Sequence, residues 1–295
     1  MSMRVTQSML NSNMLRNVNN SMGNMDRLQE QLSSGKKTSK PSDDPVLATR
    51  AMYYRSALME NDQYIRNVDE AESWMGATDS ALDDVGNVLK RVQELMVASG
   101  NDDLSVEDRK VMASEIAELK NHLGTVANQT INGRYIFAGT DTDKPPYDVA
   151  TGQFTNTNSS QINVEISQNT YSAINIDAQK VFNSPATNNI FTIMDKVISN
   201  LQTGVSSMPL MNDVKGQFEN ILTERAALGA RVNRIELVQE RLANSEVNIT
   251  ALKSKNEDVD EAEAITQLKT QENVHRAALS AGARIIQPSL LDFLR

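Results

Sequence analysis

The sequence contains no cysteine, which removes disulfides, thiol nucleophiles and thiolate metal sites from consideration. A chain that travels unfolded into an oxidising exterior also gains from this, since it has no thiols to crosslink wrongly. Aromatic residues make up only 4%, and glycine (13) and proline (7) are sparse in 295 residues. Long stretches therefore run without a breaker, and the composition suits narrow helical cores. Acidic residues outnumber basic ones 38 to 29, for a net charge of -9 and a pI near 4.9. The balance excludes the basic face a nucleic-acid binder needs to displace counterions from phosphates, so the charge serves mainly solubility. No segment approaches the ~18 to 20 continuous apolar residues of a membrane span. No basic stretch followed by an apolar run opens the sequence. The expectation is a protein of the cytosol, or one exported by a route that removes nothing from its N-terminus.

What the sequence does have is periodicity. Val68, Ala71, Met75, Thr78, Leu82, Val85, Leu89, Val92 and Met96 follow at spacings of three and four, a heptad seam that predicts one long helix with a partner. Asp44 is placed to cap its start and Pro45 suits its first turn. Gly100 marks its end. Ser105 and Asp108 form a capping-box variant for a second helix through Met112, Ile116, Leu119, Leu123 and Val126, so the two helices form an antiparallel hairpin. From Asn132 the period falls to two: Arg134 to Phe137 reads as a strand, and Ile162, Val164, Ile166, Ile174 and Ile176 alternate with polar residues. Helical rhythm returns at Ile190, Met194, Val197 and Leu201. It breaks around Ser206 to Pro209 and resumes through Ile221, Leu228, Ile235, Val238, Leu242, Ile249 and Leu252. The acidic run from Glu257 to Glu261 suits the opening of a last helix, which carries Ile265, Leu268, Leu279 and Ile285 and stops before Pro288.

The fold class expected is mainly α: an elongated bundle of long coiled-coil-like helices from both chain ends, with a small β insertion in the middle. The divisions expected are 1–40 as an N-terminal helix of an inner layer, 41–131 and 186–256 as two parts of a helical rod, 132–185 as an outward β insertion, and 257–295 as a C-terminal helix of the inner layer. In the first segment, Met14, Val18, Met25, Leu28 and Leu32 trace a heptad with Ser21 in the fourth slot. Asparagine at 11, 13, 17, 19, 20 and 24 nevertheless costs the helix about 2 to 4 kcal/mol, more than a lone helix in water recovers. Residues 1 to about 34 are expected to order only against neighbouring copies. Six of the 14 methionines fall in the first 25 positions, where their adaptable shape suits unequal contacts.

Reacting groups are absent. His122 and His275 are the only histidines, each on an expected helix, and neither has a second histidine or a carboxylate at a convincing ligand or triad spacing. No phosphate-cradling GxxxxGK[ST] or GxGxxG sequence occurs. Asp43–Asp44 and Asp141–Asp143 lack the alternating ligands of a calcium loop; capping and turn formation explain them. No enzyme and no cofactor is expected. The densest break in the helical pattern is LSSGKKTSKPSDDP at 32–45. Gly35 is suited to close the first helix left-handed, and Pro41, Asp43, Asp44 and Pro45 lead into the next. Its basic residues, Lys36, Lys37 and Lys40, would suit an acidic surface on a neighbouring subunit.

MRVTQSMLNSNMLRNVNN near the start, the LSSGKKTSKPSDDPVLATRA joint, LKRVQELMVASGN, and the C-terminal EDVDEAEAITQL and ALSAGARIIQPSLLDFL resemble the two terminal regions of the flagellin family. Pro45, NGRYIFAGTDT at 132–142 and QPSLLDFL are more similar to the branch of that family that joins hook to filament than to the filament subunit itself. The resemblance implies a structural, self-assembling protein of the bacterial flagellum, with terminal helices lining an inner tube. The partners it implies are further copies of itself in a ring, the first junction protein on the hook side and flagellin on the filament side. A cytosolic chaperone would hold the C-terminal helix, and export would run through the flagellar type III apparatus. It implies neither nucleic acid nor membrane as a partner. Met14, Val18, Met25, Leu28, Leu32, Leu279, Ile285, Leu290, Leu291 and Phe293 become the expected assembly residues. Flagellin itself, and a coiled-coil binding or signalling module, stand as alternatives.

Overall fold

The computed structural model describes residues 7–100 and 105–286. Seven α-helices and six short strands occur there in the order α1 (Gln7–Ser34), α2 (Pro45–Ser99), α3 (Val106–Ala127), β1 (Thr130–Ile131), β2 (Arg134–Tyr135), β3 (Tyr147–Asp148), β4 (Gln153–Phe154), β5 (Asn163–Ser167), β6 (Thr170–Ala173), α4 (Ala178–Phe182), α5 (Ile190–Thr203), α6 (Met211–Glu257) and α7 (Glu261–Ile286). No described helix is long and apolar enough to cross a membrane. The chain divides into two compact units, residues 61–244 and residues 1–60 with 245–295. Both divisions fall inside helices, within α2 and within α6.

The unit of residues 61–244 is organised by the α2 seam. All nine of its heptad positions, Val68 to Met96, are withdrawn from water, none more than 1% exposed. Thr78 is tolerated there because its hydroxyl donates to the Trp74 carbonyl 2.8 Å away, which satisfies the polar group inside the core. Facing it are Ile116, Leu123 and Val126 of α3, Ile190, Met194, Val197 and Leu201 of α5, and Ile221, Leu228, Ile235, Val238 and Leu242 of α6, all buried in one continuous cluster. Ser105 and Asp108 complete the capping box of α3. Between α2 and α3, Arg91 donates to Glu115 at 2.8 Å.

The β segment is three separate antiparallel hairpins. Asn132 and Gly133, both at positive φ, turn the first, as a two-residue hairpin of the right twist demands. The expected strand from Arg134 to Phe137 is shorter than its pattern, because Ile136 and Phe137 are both buried and consecutive strand residues would face opposite sides. Ile174 and Ile176 likewise lie beyond β6 and turn inward. The few aromatics are pooled here: Phe182 meets Phe137 edge-on at 5.0 Å and stacks with Phe154 at 5.2 Å, and Tyr147 stacks on Phe191 of α5 at 4.7 Å. Gly124 makes room for this, since a Cβ there would run into the Tyr147 ring. The hairpins thus close over α3 and α5 instead of forming a second core.

Replacing Leu89 by Ala is expected to destabilise this unit by about 2 to 5 kcal/mol. Urea unfolding followed by the fluorescence of Trp74, the single tryptophan and buried in the same cluster, measures it.

Candidate functional site: the paired joints and the terminal helices

The second unit, residues 1–60 and 245–295, is built differently. Two joints, the loop from Gly35 to Asp44 and the short turn from Glu257 to Asp260, interrupt its helices and lie against each other. Gly35 closes α1 at φ +68, a conformation that costs other residues strain. Its carbonyl accepts from the Val259 amide at 3.0 Å, and the Lys37 amide donates to the Glu257 carbonyl at 2.7 Å. The two joints therefore form one isolated antiparallel bridge, Lys36 opposite Asp258. Gln31 of α1 adds a bond to the Lys37 carbonyl at 2.6 Å.

Glu257 is the hub. It ends α6, where a negative charge opposes the helix dipole, and its side chain is only 6% exposed. Arg55 of α2 compensates with a two-pronged contact, Nε to Oε1 at 3.0 Å and Nη2 to Oε2 at 2.9 Å. The hydrogen bonds and the charge of Glu257 raise the Arg55 pKa above the ordinary arginine value. Lys36 Nζ stands 3.9 Å from the same carboxylate. Lys37 Nζ donates to the Lys255 carbonyl at 2.7 Å, one of the unpaired acceptors at the end of α6, and Lys40 Nζ reaches Glu30 at 3.4 Å. The three lysines thus answer acceptors of their own chain, where the sequence suggested a neighbouring subunit. The acidic run also divides: Glu257 belongs to α6 and the clasp, while Asp260 accepts from the Glu263 amide at 3.1 Å and starts α7. Asp44 caps α2 by accepting from the Val46 and Leu47 amides at 2.9 and 3.0 Å. Asp43 accepts from the Lys40 amide at 3.3 Å, Pro45 is the first residue of α2, and Pro41 is exposed in the loop.

Beyond the clasp α1 packs along α7. Met14, Val18, Ser21, Met25, Leu28 and Leu32 form the half-buried to buried face of α1. The face of α7 that is shielded from water is Ala264, Leu268, Gln271, His275, Ala278 and Gly282, again at spacings of three and four but, Leu268 apart, small or polar. Gln271 donates to Ser21 at 3.1 Å, and Met14 fills the space a Cβ on Gly282 would need. Within the chain, the α1 seam meets α7. Ile265 and Leu279 sit off this face, 49% and 47% exposed. Ile285 lies in α7 with its side chain outside the described set, and Leu290, Leu291 and Phe293 lie outside the described residues. His122 is exposed. Among the described residues no group of three or more His, Asp or Glu side chains could hold a metal ion.

A clasped double joint feeding an antiparallel terminal helix pair can be compared with known proteins. Residues 5–142 match the family model for the N-terminal helical region of bacterial flagellin, and residues 211–294 match that for its C-terminal helical region. The chain belongs to the flagellin family. Among its relatives within that family, flagellar hook-associated protein 3 of Escherichia coli is 28% identical over 95% of this chain and 96% of its own. The Salmonella typhimurium protein of that name is 29% identical over 79% of this chain and 81% of its own. The crystal structure of flagellar hook associated protein-3 from Legionella pneumophila shares the fold, with a TM-score of 0.62 at 17% identity over 69% of this chain and 98% of that one.

Arg55 and Glu257 escaped the sequence reading because a pair 202 residues apart leaves no periodic trace. The one available signal was a glutamate at a helix end that disfavours it. Gly282→Ala is expected to displace Met14 and loosen α1 from α7. Amide exchange of α1 should speed up while the Trp74 unfolding transition stays in place.

Proposed function

We propose that this member of the flagellin family is a structural protein of the bacterial flagellum that forms the junction between hook and filament. In this reading it is extracellular, assembles as a ring of copies on the first junction protein, and presents a platform on which flagellin polymerises. Export proceeds through the flagellar type III apparatus, with a cytosolic chaperone on the C-terminal helix. The terminal segments 1–40 and 257–295 form the inner layer, and the β insertion faces outward. The role is structural and needs no catalytic group.

The carrying observation is the contrast between the two units. Of the described residues in 1–60 and 245–295, Ala51 and Ala264 are the only fully buried apolar ones. Leu15, Met22, Tyr53, Met59, Ile265 and Leu279 all stand about half exposed or more. Full burial of such a side chain is worth about 1.5 to 3 kcal/mol, so covering the exposed part of these six offers about 5 to 10 kcal/mol. That is about what one docking event costs in lost freedom. Stable placement therefore calls for several neighbours at once, as a ring or tubular lattice supplies. The similarity to two proteins named flagellar hook-associated protein 3, across most of their length, supports the junction over the bulk filament.

Flagellin itself is the second reading, because both matched family models are named for it. A deletion separates the two. Loss of a junction protein leaves intact hooks without filaments and flagellin shed into the medium; loss of flagellin leaves none to shed, and that outcome would refute the junction. Replacing Leu290, Leu291 and Phe293 together by Ser is expected to abolish filament attachment with the Trp74 unfolding transition unchanged. Normal filaments in that strain would remove the C-terminal segment from the assembly surface.

A further inference from the structure

The chain's two joints are held by few interactions, and one side chain takes part in most of what is charged there. Glu257 receives both prongs of Arg55, faces Lys36 at 3.9 Å, and contributes its own carbonyl to the Lys37 amide. Near it in the chain, the Lys255 carbonyl accepts from Lys37 Nζ and the Asp258 carboxylate accepts from the Ser254 hydroxyl. Among the described residues of this unit no large apolar side chain is fully buried to provide a second fastening. A carboxylate this enclosed is costly without its cations, and without it Arg55 and Lys36 lose the counter-charge they share.

The backbone makes the consequence specific. The Lys37 amide bonds to the Glu257 carbonyl and the Val259 amide to the Gly35 carbonyl, so neither joint can change its dihedrals without breaking the bridge to the other. α1 ends at Ser34 and α7 starts at Glu261, directly on either side of the clasp. We propose that Glu257 is a latch locking the two joints together, so that α1 and α7 engage or release as one unit while residues 61–244 stay folded. The latch operates whether the chain serves in a junction or in a filament.

The test is site-resolved hydrogen exchange on the full chain, reading the Lys37 and Val259 amides against Val92 and Leu123. Glu257→Gln removes the charge and keeps the shape, and Arg55→Gln removes its main partner. Each is expected to speed exchange at both bridging amides together by about ten- to hundredfold, with Val92 and Leu123 unchanged. The double variant should be no worse than the more severe single one, as for partners in one interaction. Arg55→Lys, which keeps the charge without the fork, should fall between. Unchanged exchange at Lys37 and Val259 would overturn the proposal. So would acceleration at only one of them, additive effects in the double variant, or parallel acceleration at Val92 and Leu123. A Glu257→Gln chain that fails to fold would overturn it too, since the latch is something residues 61–244 fold without.

Discussion

The α2 seam from Val68 to Met96 keeps nine successive heptad positions dry, and the partners it gathers from α3, α5 and α6 form one core. Each fully buried Leu, Ile, Val or Met contributes about 1.5 to 3 kcal/mol, so this seam alone decides where the chain is stable. Its reach is finite. On α2 the buried apolar run begins at Val68, and on α6 it ends at Leu242; at that level Asn61 donates to the Leu242 carbonyl at 3.2 Å. Further along the same helices, Asn256 bonded to the Leu47 carbonyl and Glu257 bonded to Arg55 take the place of packed hydrocarbon. Apolar burial and polar clasping thus divide the chain between two kinds of cohesion.

That division suits a subunit with two obligations. A structural subunit of a larger assembly needs one part that holds its fold alone and another whose final contacts await its neighbours. Polar bonds suit the second part because their net worth is modest, about 0.5 to 1.5 kcal/mol for a neutral pair, and water replaces them readily. The exposed side chains around them, Met22 and Met59 among them, supply area that only another molecule can cover. Methionine tolerates small differences in that cover, an advantage where a subunit touches hook-side and filament-side neighbours of unlike surface.

Sequence periodicity revealed the part that apolar burial controls. The α2 seam, the capping box at Ser105 and Asp108, the Asp44 cap and the Gly35 turn were legible because each is a local pattern with one physical cause. The α1 seam was legible as a seam, but its partner was not, because the facing side of α7 is written, Leu268 apart, in Ala, Gln, His and Gly. Reading large apolar residues picks out Leu268, which is on that face, together with Ile265 and Leu279, which lie elsewhere on the helix. Ile136 and Phe137 looked like strand because β propensity ignores which core a residue enters. The clasp was least visible of all: Arg55 and Glu257 are single residues at distant positions, and Lys36, Lys37 and Lys40 acquire meaning only once the α6 terminus is set beside them.

If the unit of residues 1–60 and 245–295 is completed by other molecules and the unit of residues 61–244 is not, assembly should change the surface of the first and leave that of the second. Because the chain has no cysteine of its own, single substitutions Met22→Cys and Val149→Cys place one thiol in each, at side chains 55% and 79% exposed. Maleimide labelling of the free chain and of the chain bound to purified hooks compares them directly. Both thiols should react in the free chain, and binding should protect position 22 while leaving position 149 reactive. Equal reactivity of position 22 before and after binding would contradict this.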